Sequence, residues 1–289
     1  MKKLFLTVFV LASACANAAS EVVDGVTWYY ETHELFLGGN YAEVVAGAVK
    51  YAGDLTIPSS LGGNPVTQIG ASAFHDCREL QSVIIPSSVT YIGWGAFSEC
   101  RKLEVVKIPS SVTSIASSAF EGCVGIKSVT IPACVYRMSV TFPDSFVTIS
   151  EVVILDGVTT IGQYAFSNCQ SLKSVTIPEG VTSIEEDAFY YCHRLTSLRI
   201  PSSVTSIGKS AFSGCSGLAS VTLPLGVKNI SQFAFSGCSG LKSVTIPPSV
   251  TRIEEYAFSG CEGLSEVRIS DISAWCGIEF GFWGCANPL

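Results

Sequence analysis

Along most of the chain, apolar and polar residues follow one motif, L-x-S-V-x-I-P-x-S-V-T-x-I-G-x-x-A-F-x-x-C-x-x, seen for example from Leu195 to Gly217, where Leu198 takes the first valine position. Its first part alternates, so that Leu172, Val175 and Ile177 point one way and Ser174 and Thr176 the other. This period of two predicts a strand with one buried face. Pro178 ends that strand, because proline cannot donate to a ladder. The S-V-T-x-I-G segment predicts a second short strand, and A-F-x-x-C a helical or 3-10 turn.

The motif recurs on a fixed clock, the first signal to seek in any chain. Phe74, Phe97 and Phe120, then Phe166, Phe189, Phe212, Phe235 and Phe258, fall 23 residues apart except for one double step, and a cysteine follows each three residues later. Across the double step, Ile115 maps to Met138, Cys123 to Phe146, Ile126 to Ile149 and Val129 to Val152, all still apolar. A degenerate coil over about 133–150 is therefore expected within one continuous array. The predicted fold is a repeat solenoid of about ten coils, with a parallel β-sheet on one face and short second strands and turns on the others. A lone coil buries too little apolar surface to offset the ordering of its backbone, so stacking must supply the rest.

The expected organisation is a signal peptide at 1–18, an N-terminal β cap at 19–52, the solenoid at 53–270 and a C-terminal segment at 271–289. Lys2 and Lys3, the apolar run Leu4 to Leu11 and the small residues up to Ala18 give the leader pattern. That run is too short to span a bilayer. Cys15 offers a rival reading, a lipoprotein acylation site. In the cap, Trp28, Tyr29, Tyr30 and Glu43, Val44, Val45 predict two strands joined around Gly38, Gly39 and Asn40, with an aromatic binding patch as the alternative. The first coil carries an insertion at Leu61 to Pro65, expected to bulge outward. Trp275, Cys276, Phe280 and Trp283 close the chain with no polar capping helix foreseen.

Composition narrows the function. Loss of residues 1–18 removes two lysines and no acid, taking the formal charge from −7 to −9. So acidic a chain is a poor partner for nucleic acid, whose phosphates need basic residues. With 48% hydrophobic and 14% charged residues and no further stretch long enough for a membrane, the apolar side chains must be buried in the coils.

The cysteine column tempts a disulfide reading. Three cysteines lie before the double step and five after, which leaves an odd thiol in each block. Side chains in register on adjacent coils also stand about 4.8 Å apart, wider than the Cβ separation of a disulfide. A ladder of buried free thiols acting as small hydrophobes is expected. Cys276 and Cys285 could pair locally, and Cys134 has no evident partner. No metal-ligand spacing appears, and no cofactor is implied. His33, His75 and His193 read as surface residues, no G-x-S-x-G elbow frames a serine, and the acidic runs Glu185–Glu186–Asp187 and Glu254–Glu255 read as solvated. Asn229-Ile230-Ser231 is a glycosylation sequon. The chain is not expected to be an enzyme.

The unit resembles the BspA-like class of leucine-rich repeats of bacterial surface proteins, over roughly Gly53 to Ile269. The resemblance implies a secreted or surface-displayed protein, in some cases an adhesin, with no catalytic residues to carry over. Proteins of this kind often continue past an A-W-C-G-I-x-F segment into further coils, which makes Leu289 a candidate truncation point. The expected function is non-catalytic binding of a protein or cell-surface glycan. The candidate strip is the outward strand column Ile84, Lys107, Thr130, Val153, Thr176, Arg199, Thr222, Thr245 and Arg268. The alternative is a structural spacer displaying a further domain. Oligomeric state is not readable.

Overall fold

The computed structural model of the chain describes residues 18–34, 39–45 and 50–281. Nearly all of the leader pattern, with Cys15, lies outside these residues, as do Gly38, Trp283 and Cys285. The chain is a β-solenoid with 23-residue spacing whose described residues cluster into two compact units. The first runs to Ile126 and includes Thr141–Asp144; the second takes Lys127–Val140 and the chain from Ser145.

In the first unit, strands Ala52–Thr56, Glu79–Ile84 and Val105–Lys107 pair in parallel, one per coil. Asn64–Ile69, Tyr91–Ile92 and Ser114–Ile115 form a parallel second column. Ahead of them Ala19–Val23, Val26–Glu34 and Asn40–Val44 make an antiparallel meander, and Asn40–Val44 pairs in parallel with Asn64–Ile69. Trp28 is buried there, stacked on Tyr51 at 5.5 Å and edge-on to Phe74, the first ring of the phenylalanine column. It therefore extends the core and does not offer an exposed aromatic patch. The insertion is a hairpin and not a loose bulge: Ser60–Leu61 pairs antiparallel with Asn64–Ile69 and Leu61 is fully buried. Gly62 and Gly63, at φ 57° and 75°, supply the two left-handed positions that such a two-residue turn requires.

In the second unit the first-column strands are Ser128–Ile131, Glu151–Ile154, Ser174–Thr176 and Ser197–Leu198, and then, in a separate sheet, Ser220–Thr222, Ser243–Ile246 and Glu266–Ile269. Register advances by one repeat per coil, Val129 to Val152 to Val175 to Leu198, as the inward alternation predicts. The second column likewise divides, into Thr160–Ile161, Ser183–Ile184 and Ser206–Ile207, and Asn229–Ile230, Arg252–Ile253 and Glu279–Phe280. In the last pair Arg252 faces Glu279, beyond the usual spacing, because a short helix, Ile272–Cys276, is inserted. Asp271 caps it, accepting the Ser273 and Ala274 N–H groups at 2.8 and 3.0 Å. The motif did not indicate this helix, whose residues Ile-Ser-Ala-Trp-Cys are mostly apolar.

The A-F-x-x-C segments carry N–H to C=O bonds spaced three residues apart, such as Cys192 to Phe189. That is 3-10 spacing. Left-handed residues interrupt it two before and two after the phenylalanine, as at Asp187 and Tyr191, except at Phe120, where only Gly122 is left-handed, so each segment is a series of turns. The phenylalanine rings stack from coil to coil, 5.0 to 5.5 Å apart and nearly parallel.

The degenerate coil corrects the expected mapping in one place. Val129, Ile131, Val135, Met138 and Ile149 are buried as predicted. The ring slot, however, is filled by Phe142, which meets Phe120 at 5.1 Å, and Ser145, not Phe146, is fully buried at the cysteine position. The slip is one residue, and Pro143 explains it. Regular coils donate the phenylalanine N–H to the next coil, as Phe97 does to Ala119, and proline has no N–H to give. The chain recovers its phase by Ile149.

Candidate interaction surface

Alternation along each strand turns the residues on either side of the central valine outward, as in Ser174 exposed, Val175 buried, Thr176 exposed. The predicted strip positions are exposed, except for Thr130 and Thr245, which are half-buried, and they fall in separate groups. In the first unit Ile84 and Lys107 are direct neighbours. In the second, Thr130, Val153 and Thr176 stand in one register, and Thr222, Thr245 and Arg268 in another. Arg199 falls past the end of Ser197–Leu198, where the ladder stops before Ser220–Thr222 begins, and so belongs to neither group.

The charges on the strip are largely committed. Arg199 reaches Glu179 at 2.8 Å with its side chain 85% exposed. Arg268 forks onto Glu266 of its own strand at 2.8 and 2.9 Å. The Arg268 fork holds the Glu266 carboxyl below its ordinary value and lifts the guanidinium above its own. Lys107 makes no ion pair among the described residues. Exposed pairs of this sort contribute little stability, so their main effect is to shape what the strip presents.

The ladder break creates a feature the motif reading missed. A groove of about 530 Å³ runs over it, bounded by Leu198, Arg199, Ser220, Thr222 and Leu225. Leu225 is 74% exposed where other coils carry Ser87, Ser110 or Ser202. The signal was present: P-L-G-V replaces P-S-S-V. Exposed rings also stand on the turn side, Trp94 in the first unit and Tyr164, Tyr191 and Tyr256 in the second.

The thiol ladder is buried and free at Cys77, Cys100, Cys123, Cys169, Cys192, Cys215 and Cys238, with Cys261 half-buried and also free. The thiols do more than fill space. Cys100, Cys123, Cys192, Cys215, Cys238 and Cys261 each donate to the phenylalanine carbonyl of the preceding coil at 3.0 to 3.2 Å. A hydrogen bond with Cys123 and then burial push the Cys100 thiol up to about 12, and burial alone takes Cys169 to about 12. Cys238 is raised through its bond with Cys261, which is lowered in turn. Cys134 is half-buried, and Cys276 is free and exposed.

The acidic runs are tied into the fold. Glu185 accepts the Gln163 backbone N–H at 3.0 Å, and Glu254 accepts both the Gln232 N–H at 2.9 Å and the Asn229 amide at 2.8 Å. The sequon asparagine is thus engaged and half-buried, and Ser231 donates to the Ile207 carbonyl at 2.6 Å. His33 sits 2.9 Å from Glu43, and His75 lies 2.8 Å from the Ser98 hydroxyl. No helix among the described residues is long and apolar enough to cross a membrane.

Stacked coils with parallel first-column strands and a buried leucine, valine and isoleucine interior define a leucine-rich-repeat protein. The chain belongs to the BspA type: the family model for the BspA type leucine rich repeat region matches residues 67–146 and 138–265, with six copies. Among solved structures it is similar to a leucine rich cell surface protein from Faecalibacterium prausnitzii, at 25% identity over 93% of this chain and 99% of that one, TM-score 0.36. It is similar also to a leucine-rich repeat protein from Bacteroides ovatus, at 25% identity over 87% and 76%, TM-score 0.47. The pneumococcal vaccine antigen PcpA follows at 17% identity over 91% and 98%, TM-score 0.41. No curated protein matches the chain.

Proposed function

We propose that the chain is a secreted or cell-surface recognition module of adhesin type, without catalytic function, that holds a protein or cell-surface glycan on its strand face. The leader pattern of residues 1–18 supports export, and 19–52 is read as the cap on the first coil. The observation that carries the reading is the outward strand column, above all the stretch from Arg199 to Thr222, where a groove with an apolar rim and one guanidinium interrupts an otherwise flat Ser/Thr surface. Tight interfaces concentrate their energy in such local anchors.

Immobilised host matrix proteins and cell-surface glycans, probed with the purified chain, test it. Saturable binding is expected, weakened by Lys107→Glu or Arg199→Glu and little changed by a substitution on the turn side such as Lys209→Glu. Absence of saturable binding across the panel, or equal loss at all three positions, counts against the strip. One observation favours a spacer instead: Arg199 and Arg268 are already held by Glu179 and Glu266, which leaves few unshared groups. No saturable binding by the parent chain to any member of the panel supports the spacer reading.

A further inference from the structure

The degenerate coil borders a cavity on the second-column side of the second unit. Within the second unit, the second-column sheet starts at Thr160–Ile161, because the preceding coil forms the short helix Met138–Thr141 where a two-residue strand would lie. In regular coils the second column closes tightly, with bonds such as Glu185 N–H to Ile161 at 2.9 Å. Here Met138 sends its N–H to the Ala165 carbonyl at 2.8 Å instead.

The space left is about 220 Å³. Its walls are Ile131, Val135, Ile154, Val158, Ile161 and Phe166, all apolar, with Ala165, Tyr136 and Gly162 also lining it. Thr160 supplies the one hydroxyl among the aliphatic walls besides the Tyr136 phenol, and no charged side chain lines it. Such a site is unsuited to water, which needs two to four polar partners. It is equally unsuited to a charged ligand, whose desolvation nothing here would offset. Size sets the remaining limit. An engineered cavity of about 150 Å³ with aliphatic and aromatic walls holds benzene, so this one has room for a second fused ring.

We propose that this cavity is a binding site for a small, uncharged, planar aromatic molecule of benzene to indole size. The ligand lies between the Val135 and Ile161 walls, and the Thr160 hydroxyl can accept a ring N–H or O–H. Tyr136, 67% exposed, lines the cavity on the solvent side. The site is separate from the strand-face strip and does not depend on that reading.

Indole titrated into the full-length protein, followed by calorimetry and by ligand-observed NMR, tests the site. Saturable one-to-one binding is expected, lost in Ala165→Met, whose added methylenes fill the cavity, while circular dichroism stays that of the parent. If Ala165→Met does not fold, Gly162→Leu is read in its place, since a Cβ at Gly162 meets no atom closer than 4.0 Å. No saturable indole binding to the parent protein overturns the proposal, as does unchanged binding to a folded cavity variant. Benzoate serves as the charged probe of similar size; binding as tight as indole's overturns the uncharged class.

Discussion

The coil from Leu195 to Gly217 and the coil before Glu151 reach the same interior by different routes. In the regular coil Leu195, Val204, Ala211, Phe212 and Cys215 are fully buried at their motif positions, and both neighbours supply a ring for Phe212 to stack on, at 5.3 Å each. In the degenerate coil most of the motif letters are gone, yet Val129, Ile131, Val135, Met138, Phe142 and Ile149 are buried too. What the solenoid requires is therefore a set of inward slots at fixed depth. Residue identity is free to vary so long as each slot is filled, and even phase slips by one residue when Pro143 cannot donate. The difference between the two appears at the edges of the slots, in the unpaired serine at the thiol position and in the cavity beside Ile161.

Deleting a ring tests the slot idea most severely. Phe212→Ala should cost about 3–5 kcal/mol, the usual range for a fully buried phenylalanine, read as a fall in the urea midpoint. Phe142→Ala should cost a similar amount, because Phe142 is as fully buried. A loss below about 1 kcal/mol at Phe142, typical of surface or loosely packed sites, would break the comparison: the degenerate coil would then be filled without being packed.

The thiol slot gives the next largest effect, and it has opposite signs in the two coils. Ser145 is fully buried and its hydroxyl has no hydrogen-bond partner. Ser145→Cys should stabilise by about 1 kcal/mol, because a weakly polar thiol replaces an unsatisfied hydroxyl. Cys215→Ser should destabilise by about 1 kcal/mol, through lost volume partly offset by a hydroxyl bond to the Phe189 carbonyl that the thiol now meets at 3.2 Å. Equal signs in thermal melts of the two variants would show that the slots are not equivalent.

How much of this was legible depends on the distance over which each cause acts. The period, the inward alternation and the register Val129 to Val152 follow from residues within one coil, and the letters carried them. The burial of the thiols also followed from their place in the period, although their bonds to the phenylalanine carbonyls did not. The slip at Pro143 depends on a missing N–H to a neighbouring coil, which a mapping of apolar letters ignores. The ladder break beside Leu198 was not foreseen, although P-L-G-V at the groove beside it departs from the P-S-S-V of other coils. At the candidate strip, outward exposure was readable from alternation, and the Arg268–Glu266 fork could have been read from its two-residue spacing. Glu179, which holds Arg199, lies one coil away and outside the strand motif.

Regular coils also differ among themselves, and the smallest effect sharpens that point. Asp187 occupies the left-handed position before Phe189, at φ 54°, where a neighbouring coil has Ser210. Burial first, and then the adjacent Glu186, raise its carboxyl above the usual carboxylate range, with Lys209 opposing. A raised value means that the folded protein holds this proton more firmly than the unfolded chain does. Ionised Asp187 is therefore a small cost, absent at pH values below the unfolded carboxylate range, growing as pH rises toward the raised folded value and constant above it. Asp187→Asn removes the charge, keeps an oxygen for the bond with Tyr164 and tolerates a left-handed backbone. The variant should be more stable than the parent at pH 7 by less than about 1 kcal/mol, since the group is largely solvent-screened, and should match it near pH 3. A melting-temperature series from pH 3 to pH 8 checks both ends. An advantage that persists undiminished at pH 3 would assign the gain to backbone preference at the turn and remove charge from the account of why this coil differs from its neighbours.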